Sequence, residues 1–152
     1  DKITLIKKNG KKYVANNNDL NFSYRKSNLN NEIVLKAEFD VNYSDKLEIK
    51  EKIDFIKNNR KLSQPIKSKT GGSTFKNPKG FHAAKLIEMS GCKNLTVGDA
   101  LVSSKHANFL INSNNASATQ IEDLGKIIID KVHSNFDILL EWEIQIVGEK
   151  KK

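Results

Sequence analysis

A helical period followed at once by a strand period, near the C-terminus, constrains the fold of this chain more than any other feature. Thr119-Gln120-Ile121-Glu122 reads as a capping box, and Ile121, Leu124, Ile128 and Val132 recur along one face, so a helix is expected to run to about Asn135. From residue 138 the period drops to two: Ile138, Leu140, Trp142, Ile144 and Ile146 alternate with Leu139, Glu141, Glu143, Gln145 and Val147. A helix with one apolar stripe and a strand with one apolar face bury each other, which makes the chain α+β.

The remaining elements fit that class. Residues 2–6 and 11–15 read as a hairpin, with Asn9-Gly10 supplying the positive φ angles of a tight turn. Residues 32–42 alternate Ile33, Leu35, Ala37, Phe39 and Val41 with Val34, Lys36, Glu38 and Asp40, the pattern of a half-buried strand. Ser44 is placed to cap a helix from about Asp45 to Asn58, with Leu47, Ile49, Ile53 and Ile56 on or near its buried side and Pro65 beyond it. Residues 63–80 have neither period and are crowded with Gly, Pro, Ser and Asn, as a structured loop that carries a site would be. A helix from about Phe81 to Ser90, stopped by Gly91, leads to short strands at 100–103 and 108–112.

Length and composition bound what such a fold can do. A chain of 152 residues is one domain of about 100–200 residues, with room for an appendage, and 38% apolar residues suffice for a core. No apolar run approaches the ~18 residues of a membrane span, and residues 1–30 lack a secretory signal, so the chain reads as soluble and membrane-free. The single Cys92 and three scattered histidines offer neither a disulfide nor a zinc spacing, which points to a reducing cytoplasm and no structural metal. The net charge of +8 suits an anionic partner. Because only Arg25 and Arg60 among the 26 basic residues are arginine, that charge looks like a coding bias towards Lys, and the two arginines stand out as planar, bidentate groups.

Several motifs occur in a fixed order. Phe22-Ser23-Tyr24-Arg25-Lys26-Ser27 carries Tyr-Arg-x-Ser, Arg60 precedes Gln64-Pro65, and Gly71-Gly72-Ser73-Thr74-Phe75-Lys76-Asn77-Pro78 is backed by Ala83-Ala84-Lys85-Leu86-Ile87-Glu88. Ser104-Lys105-His106-Ala107-Asn108-Phe109 with Ile111-Asn112, and Leu140 to Gly148, complete the set. In this order and spacing they resemble the UDP-N-acetylenolpyruvoylglucosamine reductases, the MurB family of peptidoglycan precursor synthesis. The resemblance covers residues 20–148. It implies that residues 1–62 end a FAD-binding, vanillyl-alcohol-oxidase-like α+β domain and that 63–152 form the α+β substrate-binding domain.

The resemblance also implies a reaction: reduction of UDP-N-acetylglucosamine enolpyruvate to UDP-N-acetylmuramate, with NADPH as reductant and FAD as hydride carrier. Hydride arrives at C3 of the enolpyruvyl ether and a proton at C2. Arg25 matches the arginine that grips the substrate carboxylate, Ser73 the general acid, and Glu143 the carboxyl that assists the enolic intermediate. Asn77 matches a position near the diphosphate and His106 another substrate contact. Taken singly, a Ser after Gly-Gly is ordinary turn chemistry, and Glu141 shares the strand face of Glu143. His82 and His133 read as surface residues, Cys92 and Trp142 as packing.

The chain departs from the family pattern at Ser63, where a phosphate-binding Lys is usual, and at Gln145, where an Arg is common. Diphosphate binding then falls to Lys61, Lys67 or Lys76, unranked. The short stretch from Arg25 to Pro65 resembles the subgroup that lacks an inserted loop. The family's flavin-binding motifs would precede Asp1, so the chain resembles a C-terminal portion whose partner is the N-terminal FAD-binding half, and which alone binds FAD weakly or not at all. Two other readings stand beside this one: a nucleic-acid-binding module, for which stacking motifs are missing, and an inactive remnant of the reductase.

Overall fold

The computed structural model describes residues 1–29 and 31–148; the basic tail Lys150–Lys152 lies outside them. The chain divides into two compact units, Asp1–Ile49 and Lys50–Lys152.

In the first unit, β1 (Lys2–Ile6) pairs antiparallel with β2 (Lys12–Asn16) and with β3 (Ile33–Glu38), in the order β2-β1-β3. The hairpin forms as expected, but its loop closes by a Gly10 N–H bond to the Lys7 carbonyl at 2.9 Å, and Gly10 takes positive φ without Asn9. Leu5, Ala15 and Leu20 make a small core with Ile3, Tyr13 and Leu29 against it. The strand expected to be half-buried is not: Ile33, Val34 and Leu35 are 66%, 51% and 47% exposed, so neither face of β3 is covered here.

Helix α1 (Lys46–Ser63) crosses the division between the units and runs five residues past the expected end at Asn58. Its cap is Asp45, not Ser44: Asp45 Oδ1 accepts the N–H groups of Leu47 at 2.8 Å and Glu48 at 3.3 Å, while the Ser44 hydroxyl donates to the Glu48 carboxylate at 2.6 Å. The helix stops where Pro65 disfavours helical backbone in the residue before it. None of its side chains is buried, which corrects the expected inner face of Leu47, Ile49, Ile53 and Ile56.

The second unit builds an antiparallel sheet in the order β4-β7-β6-β5, from β4 (Lys69–Ser73), β5 (Thr96–Val97), β6 (Ala100–Val102) and β7 (Phe109–Asn112). Strand β4 lies inside the expected loop at 63–80 and has no apolar alternation to betray it; pairing with β7 makes it a strand. Helix α2 (Ala83–Met89) ends in a Schellman motif, with Gly91 N–H on the Glu88 carbonyl and Cys92 N–H on that of Ile87. Helix α3 (Ala118–Phe136) packs on β5, β6, β7 and α2.

The α3 cap sits two residues before the expected one. Ser117 Oγ accepts the Gln120 N–H at 3.2 Å and Gln120 Oε1 accepts that of Ser117 at 3.0 Å. Such a cap contributes about 1 kcal/mol. Fully buried Leu124, Ile128 and Val132 contribute about 1.5–3 kcal/mol each. Packing therefore outweighs the cap in holding α3 to the sheet. Cys92 is buried in the same core, where desolvation raises its thiol pKa.

After α3 the chain returns across the end of the sheet. The expected strand at 138–147 keeps its alternation only at first, with Leu140 buried and Ile138 and Trp142 half-buried. Its ladder shrinks to one bridge, Phe75 to Trp142, and residues 145–148 are exposed.

Candidate active site

The register between β4 and β7 shifts between Thr70 and Ser73, and Gly71-Gly72 take up the slack. Gly72 has φ +89°, where a side chain would strain the backbone, and its N–H turns back to Thr70 Oγ1 at 3.3 Å. A bulge of this kind re-aims the residue that follows it, which is Ser73, opposite Phe109.

Beyond Ser73 the chain is anchored from two sides. Thr74 is buried; its N–H donates to the Asn108 carbonyl at 2.8 Å and its Oγ1 accepts the Leu110 N–H at 3.3 Å. On the other side, Glu143 N–H donates to the Thr74 carbonyl at 2.8 Å and Lys76 N–H to the Glu141 carbonyl at 2.9 Å. Phe75, 1% exposed, stacks on Trp142 with ring centroids 4.9 Å apart. A Cβ on Gly125 would overlap the Trp142 indole, so that glycine makes room on α3 for the ring. Ser73 and Glu143 are thereby brought onto adjoining backbone. Glu143 is half-buried, with Oε2 shielded from solvent, whereas Glu141 is exposed and pairs with Lys76 Nζ at 3.1 Å.

Two further expected residues join this region. Asn77 Oδ1 accepts the N–H of Ala83, the first residue of α2, at 2.9 Å, which leaves the Asn77 amide N–H groups for another partner. His106 is half-buried and packs edge-on against Phe109 at 4.7 Å. Its Nδ1 accepts the Asn108 N–H at 3.3 Å, and burial lowers its pKa, so the ring is a neutral Nε2–H donor near pH 7.

Arg25 belongs to the first unit. It sits in a turn closed by Ser23 and Lys26 through bonds of 2.9 and 3.1 Å, at φ +55°, an uncommon conformation for a residue with a side chain. Its Nε donates to the Tyr24 hydroxyl at 3.3 Å and its guanidinium lies 5.5 Å from the Tyr24 ring centroid. Strain of this sort costs on the order of 1–3 kcal/mol and clusters at functional positions.

A groove of about 420 Å³ opens in the second unit, with Lys61, Lys67, Lys105, Ser68, Ser103 and Ser104 among its lining and no carboxylate. Lys105 Nζ donates to the Lys61 carbonyl at the end of α1 at 2.9 Å. Ser63 is spent on the Asn59 carbonyl at 2.7 Å, and Gln145 is exposed. Asn108, inside the Ser104–Phe109 motif, is buried, and nothing in a chain rich in Asn marks its side chain as such.

Residues 64–147 match the family model described as UDP-N-acetylenolpyruvoylglucosamine reductase, C-terminal domain. The chain belongs to this reductase family. The reductase of Rhizorhabdus wittichii is 42% identical over 145 residues, which make up 95% of this chain and 47% of that protein. The reductase of Orientia tsutsugamushi is 41% identical over 149 residues, 97% of this chain and 49% of that protein. The crystal structure of UDP-N-acetylenolpyruvylglucosamine reductase (MurB) from Thermus caldophilus matches with a TM-score of 0.79 at 34% identity, over 93% of this chain and 51% of that one. The chain thus spans about half the length of the reductases it matches.

The second unit thus carries the Ser73 hydroxyl beside a bulge, a shielded Glu143 carboxyl, the neutral His106 imidazole and a lysine-lined groove. A second groove, about 350 Å³, lies in the first unit and is lined by Asp1, Lys2, Asn16, Glu38, Phe39 and Asp40. The described residues also hold no cluster of metal-ligating side chains and no helix long and apolar enough to cross a membrane.

Proposed function

We propose that this chain supplies the substrate domain and the proton-handling residues for reduction of UDP-N-acetylglucosamine enolpyruvate to UDP-N-acetylmuramate. Residues 1–62 belong to the FAD-binding domain in this reading and 63–152 to the substrate domain. FAD, reduced by NADPH, supplies a hydride to C3 of the enolpyruvyl ether when bound. The chain's own residues do the rest. The Arg25 guanidinium holds the carboxylate onto which charge spreads, which a planar fork does better than an ammonium group. The Ser73 hydroxyl gives its proton to C2, and a carbon that carries enolate charge is basic enough to take it. Glu143 assists the enolic intermediate. Asn77 and the Nε2–H of His106 donate to the substrate. Lys61 and Lys67 are the lysines proposed for the diphosphate, because they line the groove while Lys76 is paired with Glu141.

The observation that carries this reading is the bond from Glu143 N–H to the Thr74 carbonyl, because it joins the two segments that hold the acid and the carboxyl. The partner is a flavin-binding half, consistent with the span of about half the relatives' length and with the exposed apolar side chains of β3 and α1. Oxidation of NADPH is the test, with the chain, FAD and the flavin-binding half supplied together. Oxidation that depends on the enolpyruvyl substrate is expected, and its absence contradicts the reading. The chain alone is expected to form no stoichiometric yellow complex with FAD; such a complex would remove the need for the partner half.

A further inference from the structure

Asn108 is 4% exposed and spends its side chain on the backbone of one residue, Phe75. Its Oδ1 accepts the Phe75 N–H at 2.9 Å and its Nδ2 donates to the Phe75 carbonyl at 2.8 Å. The orientation of the amide is fixed by its partners, because an N–H only donates and a carbonyl only accepts; a flipped amide loses both bonds. The Asn108 backbone also takes the Thr74 N–H on its carbonyl and gives its own N–H to His106 Nδ1.

This bracket stands where the sheet fails. Strand β7 starts at Phe109, opposite Ser73, and the bulge at Gly71-Gly72 has already broken the ladder on the other side of Ser73. At Phe75 the Asn108 amide replaces the peptide of a neighbouring strand. We propose that Asn108 is a positioning residue for the reduction: it holds the segment from Ser73 to Asn77 in register with Glu143, so that the Ser73 hydroxyl meets the carbon it protonates. This role rests on the function proposed above.

Asn112 provides an internal control. At the other end of β7 its Oδ1 accepts the Ala116 N–H at 2.9 Å and its Nδ2 donates to the Ala116 carbonyl at 3.4 Å, but it lies opposite Lys69 rather than Ser73.

The experiment follows both half-reactions by stopped flow in the reductase assembled from this chain and its flavin-binding half, with amide exchange at Phe75 read on the same samples. Asn108→Leu, which removes both bonds at similar size, is expected to release the Phe75 amide and to slow flavin reoxidation by the enolpyruvyl substrate about 10- to 100-fold, the cost of a misplacement of ~1 Å. Flavin reduction by NADPH is expected to stay unchanged. Asn112→Leu should loosen its own end of the sheet without changing the ratio of the two rates. Asn108→Asp guards against a variant that fails to fold and gives a signature that packing alone does not. Its protonated carboxyl restores donor and acceptor, and its ionised form has no donor, so its reoxidation rate relative to the unsubstituted protein should rise as pH falls.

Full reoxidation rate in Asn108→Leu with the Phe75 amide released overturns the proposal, as does equal slowing of both half-reactions or the same split in Asn112→Leu. Retained protection at Phe75 in Asn108→Leu overturns the bracket whatever the function. If the unsubstituted protein shows no reoxidation by the enolpyruvyl substrate, the functional reading fails and this role fails with it.

Discussion

Glu143 donates its backbone N–H to the carbonyl of Thr74 at 2.8 Å, and so the backbone that carries the Glu143 carboxyl is held beside the residue that follows Ser73. With the Lys76 N–H bond to the Glu141 carbonyl, this contact forms the single bridge, Phe75 to Trp142, in place of a strand expected over ten residues. It separates Glu143 from its neighbour on the same face. Glu141 is 73% exposed and pairs with Lys76, and such exposed pairs contribute about 0.2–1 kcal/mol. Glu141→Gln is expected to change the unfolding free energy from urea titration by less than ~1 kcal/mol and to leave flavin reoxidation unchanged. Glu143→Gln is expected to slow reoxidation about 10²-fold, within the usual range for loss of positioned proton chemistry. Stopped-flow rates for the two variants check this, and the reverse order would transfer the role to Glu141.

Gly125 is where α3 meets the site. Replacing Gly by Ala in a helix ordinarily stabilises by ~1 kcal/mol. Here the new methyl overlaps the Trp142 indole, and overpacking costs about 1–3 kcal/mol. Steric cost should win, so Gly125→Ala is expected to lower stability and to shift the emission of Trp142, the one tryptophan of the chain. Increased stability with unchanged emission would contradict the packing described for that ring.

His106 makes stability depend on pH. Burial lowers its folded pKa below the ordinary value of about 6.5, and the bond that its Nδ1 accepts from Asn108 needs the neutral ring. As pH falls through ~6.5 the unfolded chain binds a proton that the folded chain refuses. The contribution is therefore complete above that pH and is lost progressively below it, down to the folded pKa. Urea midpoints at about pH 7.5 and pH 5 should differ less in His106→Gln than in the unsubstituted protein. An equal difference in both would assign the pH dependence to other groups.

What the sequence made legible follows from which signals are local. Helix α3 could be read because its apolar residues repeat every turn; its cap was misplaced by two residues because Ser117-Gln120 and Thr119-Glu122 satisfy the same rule, and only the bonds distinguish them. Strand β4 could not be read: Lys-Thr-Gly-Gly-Ser has low strand propensity, and its conformation comes from β7, far away in sequence. The alternation in β3 and the apolar residues of α1 are genuine patterns, yet alternation states which face would be buried and not what covers it.

The candidate site divides along the same line. Ser73, Asn77, His106 and Glu143 could be named from a motif, but not the bulge that re-aims Ser73, the carbonyl that ties Glu143 to it, or the left-handed turn that carries Arg25. Asn108 is hidden because an asparagine buried against distant backbone has no signature in a chain where asparagine is common.

Ser73→Ala in the assembled reductase tests most directly the proposed delivery of a proton by Ser73 to the reduced enolpyruvyl carbon. Reoxidation of reduced flavin by the enolpyruvyl substrate should slow by about 10²–10⁴-fold, the contribution of a positioned proton donor, while reduction by NADPH keeps its rate. Equal slowing of both half-reactions, or no slowing of either, would contradict the account.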